Sequence, residues 1–325
     1  MHYRKFGAAG WNVSEVGLGT WQFGGDWGEV SEDTARDIIK AALDRGVNFF
    51  DTADVYGNGR SEALIGGFLA ASSEKVYVAT KLGRLEGYPD GYSYALFRRC
   101  AENSLKRLKR EVIDLLQLHC IPKKHLESGE VFDWLRALRK EGKIRAFGAS
   151  VETEAEADIC LEQSDIASLQ IIFNIFRQKP VDGLLRRARR NGTAIIVRLP
   201  LASGLLAGKY TKETTFPSSD HRSYNRNGEA FSAGETFSGL AFTYGLECVE
   251  EVRRNVPAGV DMSLFAIRWV LDHPEVSVAI PGATKASQAQ RNTAASDLPS
   301  IAKPIRAALR KLYDVKIEGR IRGEM

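Results

Sequence analysis

Four side chains in this sequence have the types that general acid catalysis needs: Asp51, Tyr56, Lys81 and His119. A free tyrosine, with a pKa near ~10, is a reluctant proton donor at neutral pH. A nearby lysine cation favours the phenolate and so lowers that pKa. A carboxylate such as Asp51 would keep the lysine charged and fixed in place. A neutral histidine would hydrogen-bond a substrate oxygen or the phenol itself. Together the four make a general acid aimed at an oxygen atom. Singly, each has an ordinary explanation: Asp51 as a cap, Lys81 as a rim ion pair, His119 as a satisfied structural histidine. Asp51 and Tyr56 share one stretch, NFFDTADVYGNGRSE, running from Asn48 to Glu62. In it, Gly57 and Gly59 allow the loop to fold tightly, and Asp54 reads as a loop or capping residue.

The chemistry requires that these residues meet, and the pattern of elements supplies the means. Short apolar runs alternate with longer amphipathic ones. Strands are expected at Val16–Thr20, Val47–Asp51, Val76–Lys81, Leu115–His119, Ile144–Ser150, Ser168–Asn174, Ala194–Leu199 and Val276–Pro281. Helices are expected from the Ser31 N-cap to Gly46, and over Arg60–Ala71, Tyr94–Leu108, Val131–Glu141, Glu154–Glu162, Val181–Arg190 and Lys285 to about Ser296. Near-continuous apolar strands imply a parallel sheet buried on both faces. Eight such units in one chain of this length favour a closed (β/α)8 barrel, the TIM-barrel architecture, over an open doubly wound sheet. The whole span 1–325 then reads as a single domain. Residues 2–15 are expected to form an N-terminal β-hairpin that plugs the barrel bottom. Residues 201–238, rich in Gly, Ser and Thr, make a long loop after the seventh barrel strand, in the place of a cover.

In such barrels the active site lies at the C-terminal ends of the strands. Those ends are Thr20, Asp51, Lys81, His119, Ser150, Asn174, Arg198 and Gly282. Asp51, Lys81 and His119 close three successive strands and should lie side by side, with Tyr56 one short loop beyond. There is no G-x-G-x-x-G fingerprint, which leaves a Rossmann site unsupported. A barrel can still hold a dinucleotide across its rim, with phosphate at the loops after strands seven and eight. The segment from Ile280 to Asn292, IPGATKASQAQRN, opens a helix whose free N–H groups and dipole favour an anion. Thr284 and Lys285 add a hydroxyl and a cation suited to a 2′-phosphate.

Composition sets the outer bounds. A net charge of +4, with 44% hydrophobic and 26% charged residues, is ordinary for a globular protein and gives no reason to expect nucleic acid. The basic run Arg186–Arg190 fits a solvated helix end near the negative pole of the macrodipole. Cys100, Cys120, Cys160 and Cys248 are widely spaced, so neither disulfides nor thiolate metal binding is expected. The five histidines, at 2, 119, 125, 221 and 273, form no metal constellation, which weighs against a barrel hydrolase built on Asp51, Asp54 and His119. An N-terminus without an apolar signal region, and no apolar run of ~18 residues, point to a soluble cytoplasmic protein away from membranes.

The motifs D51-T-A-D-V-Y56-G, V-Y-V-A-T-K81 and D-L-L-Q-L-H119 resemble the aldo-keto reductase superfamily, in a bacterial type related to the channel β-subunit-like branch. The resemblance runs from GLGTW at Gly17 to the IPGATKASQAQRN segment. It implies an NADPH/NADP+-dependent carbonyl reductase, reversible as an alcohol dehydrogenase, acting on a small-molecule carbonyl or alcohol such as an aldehyde, ketone or sugar. Tyr56 would protonate the carbonyl oxygen; Lys81 and His119 would tune or orient it, and Asp51 would pair with Lys81 and border the cofactor. Ser150 and Gln170 match contacts to the nicotinamide carboxamide. Arg198, Leu199, Pro200, Leu201, Ser203 and Lys209, in the run RLPLASGLLAGK, match a loop that covers the pyrophosphate. Thr20 and Trp21 match residues beside the ribose and the substrate; Trp21, Tyr56 and His119 would touch substrate. Gln288 and Asn292 would contact the adenosine end, and Gly282, Thr284 and Lys285 complete the cofactor-binding set. No metal is implied, because nicotinamide supplies the hydride.

Two positions depart from the family pattern. Val151 stands where many members have Asn, so one carboxamide contact is missing or replaced. Arg198 stands where many have an aromatic ring on the nicotinamide; a planar guanidinium could stack there and would disfavour the oxidised, cationic ring. Some members are ancillary channel subunits that hold NADPH as a sensor, a second reading against which the complete set of four speaks. Trp27, Tyr88 and Tyr92, with Trp21, are candidate pocket aromatics.

Overall fold

The computed structural model describes residues 1–28 and 30–323. Ten strands form: β1 Tyr3–Phe6, β2 Trp11–Ser14, β3 Leu18–Gly19, β4 Phe49–Asp51, β5 Tyr77–Leu82, β6 Ile113–His119, β7 Ile144–Ser150, β8 Ser168–Ile172, β9 Ala194–Arg198 and β10 Val276–Ala279. β3 to β10 pair in sequence order and in parallel. The sheet closes on itself through bridges from Val16 to Ala279 and from Gly19 to Gly282. This is the expected (β/α)8 barrel. Its first strand is shorter than the apolar run suggested, because the seam is made by backbone contact. A Cβ at Gly19 would lie 2.6 Å from the Ile280 carbonyl oxygen, closer than packed atoms allow.

The helices are α1 Glu32–Leu43, α2 Arg60–Leu69, α3 Tyr94–Leu108, α4 Lys123–Ser128, α5 Glu130–Lys140, α6 Glu154–Leu161, α7 Leu184–Asn191, α8 His221–Tyr224, α9 Phe242–Arg253, α10 Met262–Leu271, α11 Ala286–Thr293 and α12 Lys303–Leu312. Capping fixes several starts. Ser31 and Ser93 accept from the N–H groups of Thr34 and Leu96, and Thr153 forms a capping box with Glu156. α7 starts later than its sequence pattern implied: a 3-10 turn at Lys179–Asp182, with Pro180 near its start, precedes Gly183. α4, α8, α9, α10 and α12 were not anticipated. α10 is buried on almost every side, so it shows no amphipathic stripe by which to find it.

The N-terminal hairpin plugs the barrel as expected. Phe6 lies fully buried between Trp11 and Phe49, with ring centroids 5.3 and 5.4 Å away, and Trp11 stacks on Tyr77 at 4.9 Å. Phe6 and Val13 thereby join Leu115, Ala146, Ile196 and Val278 in the core within the strands. At the other end, residues 201–238 fold into short helical turns, among them Ala202–Ala207, α8 and Ala233–Glu235. All four cysteines are free. Among the described residues no helix is long and apolar enough to cross a membrane.

Candidate active site

Parallel register places the strand ends at one height. Asp51 pairs across from Gly19 and Ala79, Lys81 from Gln117, and His119 from Ser150. Lys81 is fully buried. Its Nζ donates to Asp51 Oδ1 at 2.5 Å, to the Thr52 carbonyl at 2.8 Å and to Tyr56 Oη at 3.2 Å. Three acceptors satisfy its three donors, which is what a buried ammonium needs. The second oxygen of Asp51 accepts from Gln170 Nε2 at 2.7 Å and Gln117 Nε2 at 3.3 Å. The carboxylate is thus anchored from two further strands. Gln117 was not anticipated, and Gln170, matched to a nicotinamide contact, has its amide nitrogen committed to Asp51.

Tyr56 is carried by the turn Ala53–Gly59, where Gly57 and Gly59 adopt φ of +61° and +87°. The turn is pinned from below. Thr20 Oγ1 donates to the Asp51 carbonyl at 2.8 Å, Ser61 Oγ donates to Thr20, and the Asp54 N–H donates to the Lys81 carbonyl. Asp54, expected as a loop or capping residue, lies in this turn but is buried, and burial followed by the charge of Glu62 pushes its carboxyl up to about 7.

Electrostatics assign the protons. Burial raises the pKa of the Tyr56 phenol, and Lys81 offsets this only in part. The phenol is therefore protonated, with the cation in place to receive the charge once the proton leaves. Burial works against the charge of Lys81, but Asp51 and then Tyr56 outweigh it and raise its pKa. His119 is held well below its usual range, first by burial and then by Arg84, Lys81 and Arg198, so its imidazole is neutral. Its ring stands edge-on to Tyr56, centroids 5.8 Å apart, and its Nδ1 lacks a partner among the described residues.

Asp51, Tyr56 and His119 form the floor of a cavity of about 760 Å³, while the fully buried Lys81 lies outside its lining. Thr20, Trp21, Asp51, Tyr56, His119, Gln170, Arg198, Leu199, Pro200, Leu201, Ser203, Lys209, Gly282, Thr284, Gln288 and Asn292 all border it. Ser150 and Lys285 do not border it. Ser150 is buried behind the wall, 3.5 Å from Cys120 Sγ, and Lys285 is exposed at the N-cap of α11. The cation that does border this end is Arg291, two turns further along the chain. Thr284 gives both its N–H and its hydroxyl to Gln288 Oε1, at 2.7 and 3.0 Å. Leu199, Ala202 and Ser203 hold φ near +50°, a strained conformation for side-chain-bearing residues that is characteristic of ligand-binding loops. A Cβ at Gly282 would strike Gln22, whose Oε1 is buried without a hydrogen-bond partner among the described residues. A cavity bordered both by strained backbone and by the N-terminal part of α11 fits an extended phosphorylated ligand.

Near Tyr56 the wall is aromatic. Trp21 stacks on Tyr56 with centroids 6.0 Å apart and donates from Nε1 to Asp26 at 2.9 Å. Trp27, Tyr88, Tyr224 and Phe231 complete this part. Tyr92 stays out of it, donating to the Gly83 carbonyl and packing on Phe97. The guanidinium of Arg198 is not free to stack. It meets Glu235 at 3.2 Å and the Val151 carbonyl at 3.3 Å. Arg84, Glu152 and Glu235 were missed in the sequence. Arg84 and Glu152 lie within three residues of Lys81 and Ser150, where reading a little past each strand end would have found them; Glu235 sits on the long loop with no local signal.

Comparison with known proteins agrees with this geometry. The family described as "Aldo/keto reductase family" matches residues 15–313. Aldo-keto reductase YhdN of Bacillus subtilis is 32% identical over 306 residues, covering 89% of this chain and 86% of that protein. The glycerol dehydrogenase AKR11B4 from Gluconobacter oxydans superposes with a TM-score of 0.75 at 31% identity, over 97% of this chain and 94% of its own. An aldo-keto reductase from Klebsiella pneumoniae, solved in complex with NADPH, shares the fold with a TM-score of 0.73 at 21% identity, over 99% and 100% of the two chains.

Proposed function

This chain belongs to the aldo/keto reductase family, a family of oxidoreductases, and from that premise we propose that it is an NADPH-dependent reductase of aldehyde, ketone or sugar carbonyls, reversible as an alcohol dehydrogenase. The observation that carries the reading is the contact of Lys81 Nζ with both Asp51 and Tyr56 Oη, at 2.5 and 3.2 Å, beside a neutral His119 at the cavity floor. NADPH is the cofactor that the residues fit. Leu199–Ser203 would pass along its pyrophosphate, and Thr284, Gln288, Asn292 and Arg291 would hold the adenosine end with its 2′-phosphate. When bound, it supplies a hydride to the carbonyl carbon.

The chain's own residues do the rest. Trp21 and its aromatic neighbours hold the apolar part of the substrate and keep water away. His119, neutral, positions the carbonyl oxygen. Tyr56 gives that oxygen its proton, and the phenolate left behind faces the Lys81 ammonium, which Asp51, Gln117 and Gln170 keep in place. Solvent then restores the phenol. Replacing Tyr56 with Phe should lower kcat by roughly 10²–10⁴-fold while the NADPH Kd stays within about twofold, measured by carbonyl-dependent NADPH oxidation and by fluorescence titration. Turnover that survives in Tyr56→Phe contradicts the assignment.

A further inference from the structure

Four ionisable side chains on the cavity wall take no part in this proton transfer: Arg84, Glu152, Arg198 and Glu235. They come from four separate segments. Arg84 follows β5, Glu152 follows β7, Arg198 ends β9, and Glu235 lies on the long loop after β9. Arg84 meets Glu235 and Glu152, each at 2.9 Å, and Arg198 meets Glu235 at 3.2 Å. Their side chains are largely withdrawn from solvent, with exposures of 17, 23, 12 and 5% in the order named. Cys120 Sγ lies 3.6 Å from Arg198 Nη2, and Glu156 accepts the Glu152 N–H at 2.8 Å. Arg177 is a further positive charge that interacts with Glu152. With both carboxyls ionised, the four charges cancel.

This cluster adjoins the reaction centre. Arg84 and Arg198 both act on His119, and Glu235 acts on Tyr56. A carbonyl held by Tyr56 and His119 must touch the ring that gives or takes its hydride, so that ring lies within the field of the cluster. The ring is uncharged when reduced and cationic when oxidised.

We propose that Arg84, Glu152, Arg198 and Glu235 select the redox state of the bound dinucleotide: balanced, the cluster accepts the oxidised form, and with one carboxyl neutral it carries a positive charge that favours the reduced form. The inference rests on the dinucleotide reading above and names residues that set its preference. Glu152 is the member that changes charge. Burial and then Glu235 push it up to about 7, whereas Arg84 and then Arg198 overcome burial and hold Glu235 to about 2. As pH falls through about 7, Glu152 takes up a proton and the cluster gains one positive charge. At an effective dielectric of ~20, one unit charge in a cluster adjoining the ring changes relative affinity by about 10-fold. The oxidised form is therefore bound less well in acid, where reduction consumes a proton.

The test is to titrate the full-length protein with NADPH and with NADP+ from pH 5.5 to 8.5, read by quenching of Trp21 and Trp27 on the cavity wall. The quantity of interest is the ratio of the NADP+ Kd to the NADPH Kd. Titration of the 2′-phosphate is common to both ligands and cancels. In the wild type the ratio should rise about tenfold as pH falls across ~7. In Glu152→Gln it should be high and flat, with an NADPH Kd near that of wild type as the sign of an intact site. In Arg198→Gln the ratio at pH 8.5 should fall below the wild-type value. A pH-independent ratio in the wild type, or an unchanged ratio in Glu152→Gln at pH 8.5, overturns the proposal. Failure of the wild type to bind either dinucleotide overturns the functional reading instead.

Discussion

Lys81 is a charge with no access to water, and it survives because Asp51, Thr52 and Tyr56 take up its three donors. Lys81→Met should therefore cost about 3–5 kcal/mol in denaturant unfolding, since Asp51 is left buried with only two glutamine amides, and it should abolish turnover. Arg291→Ala should raise the NADPH Kd by ~10–100-fold while leaving the NADH Kd within about threefold, because only the former carries the 2′-phosphate. Comparable loss for both cofactors would refute that role. Asp51, Tyr56, Lys81 and His119 were legible because strand ends and side-chain chemistry point the same way. The choice of Arg291 over Lys285 was not: the start of α11 was read to within one residue, but which of its side chains borders the cavity depends on how the helix packs on the barrel. Gln117 was illegible for another reason: a buried glutamine on an apolar strand announces nothing until its partner is known.

At the scale of elements, alternation of apolar strand and amphipathic helix revealed the barrel, and it failed where a helix has no solvent face. α10 is such a helix, bounded instead by Asp261, whose side chain accepts from the N–H groups of Ser263 and Leu264. Asp261→Ala should destabilise the protein by about 1–2 kcal/mol, seen as a lower denaturant midpoint with an unchanged slope. The loop 201–238 read as a Gly/Ser/Thr-rich excursion, yet it is held by side chains that composition cannot assign. Ser203 bridges the Glu235 carbonyl and the Phe237 N–H, Asn174 reaches the Leu199 carbonyl and Ser238, and Glu235 engages both arginines. Each of these partners is distant in sequence or lacks periodic spacing, so the order of this loop follows from the assembled barrel and not from its own residues.

Across the whole molecule, two histidines, His119 and His221, are buried in neutral form, and His273 is half-buried and neutral as well. Burial lowers His119 and His273, and it brings His221 to about 4. A folded pKa below the unfolded value near ~6.5 gives stability that is present above 6.5 and is lost as pH falls toward 4. Asp54 and Glu152, both lifted to about 7, act with the opposite sign, so the informative measurement is a difference. His221 packs between Trp21 and Trp27, with centroids 4.6 and 4.3 Å away. His221→Phe should therefore lose less Tm than the wild type between pH 7 and 4.5, and an equal loss would exclude His221 as a source of acid sensitivity. The N-terminal hairpin was visible in the sequence as an extra pair of short strands, and its seat under Phe49 and Tyr77 gives the molecule a stopper. The candidate cavity lies at the opposite end of the barrel, where the parallel strands finish. Two guests that share it would queue: the larger one proposed above, which would reach from Tyr56 to Asn292, would enter first and depart last, and the smaller one would come and go over it. Steady-state product-inhibition patterns should therefore be those of an ordered sequence, with alcohol leaving before NADP+.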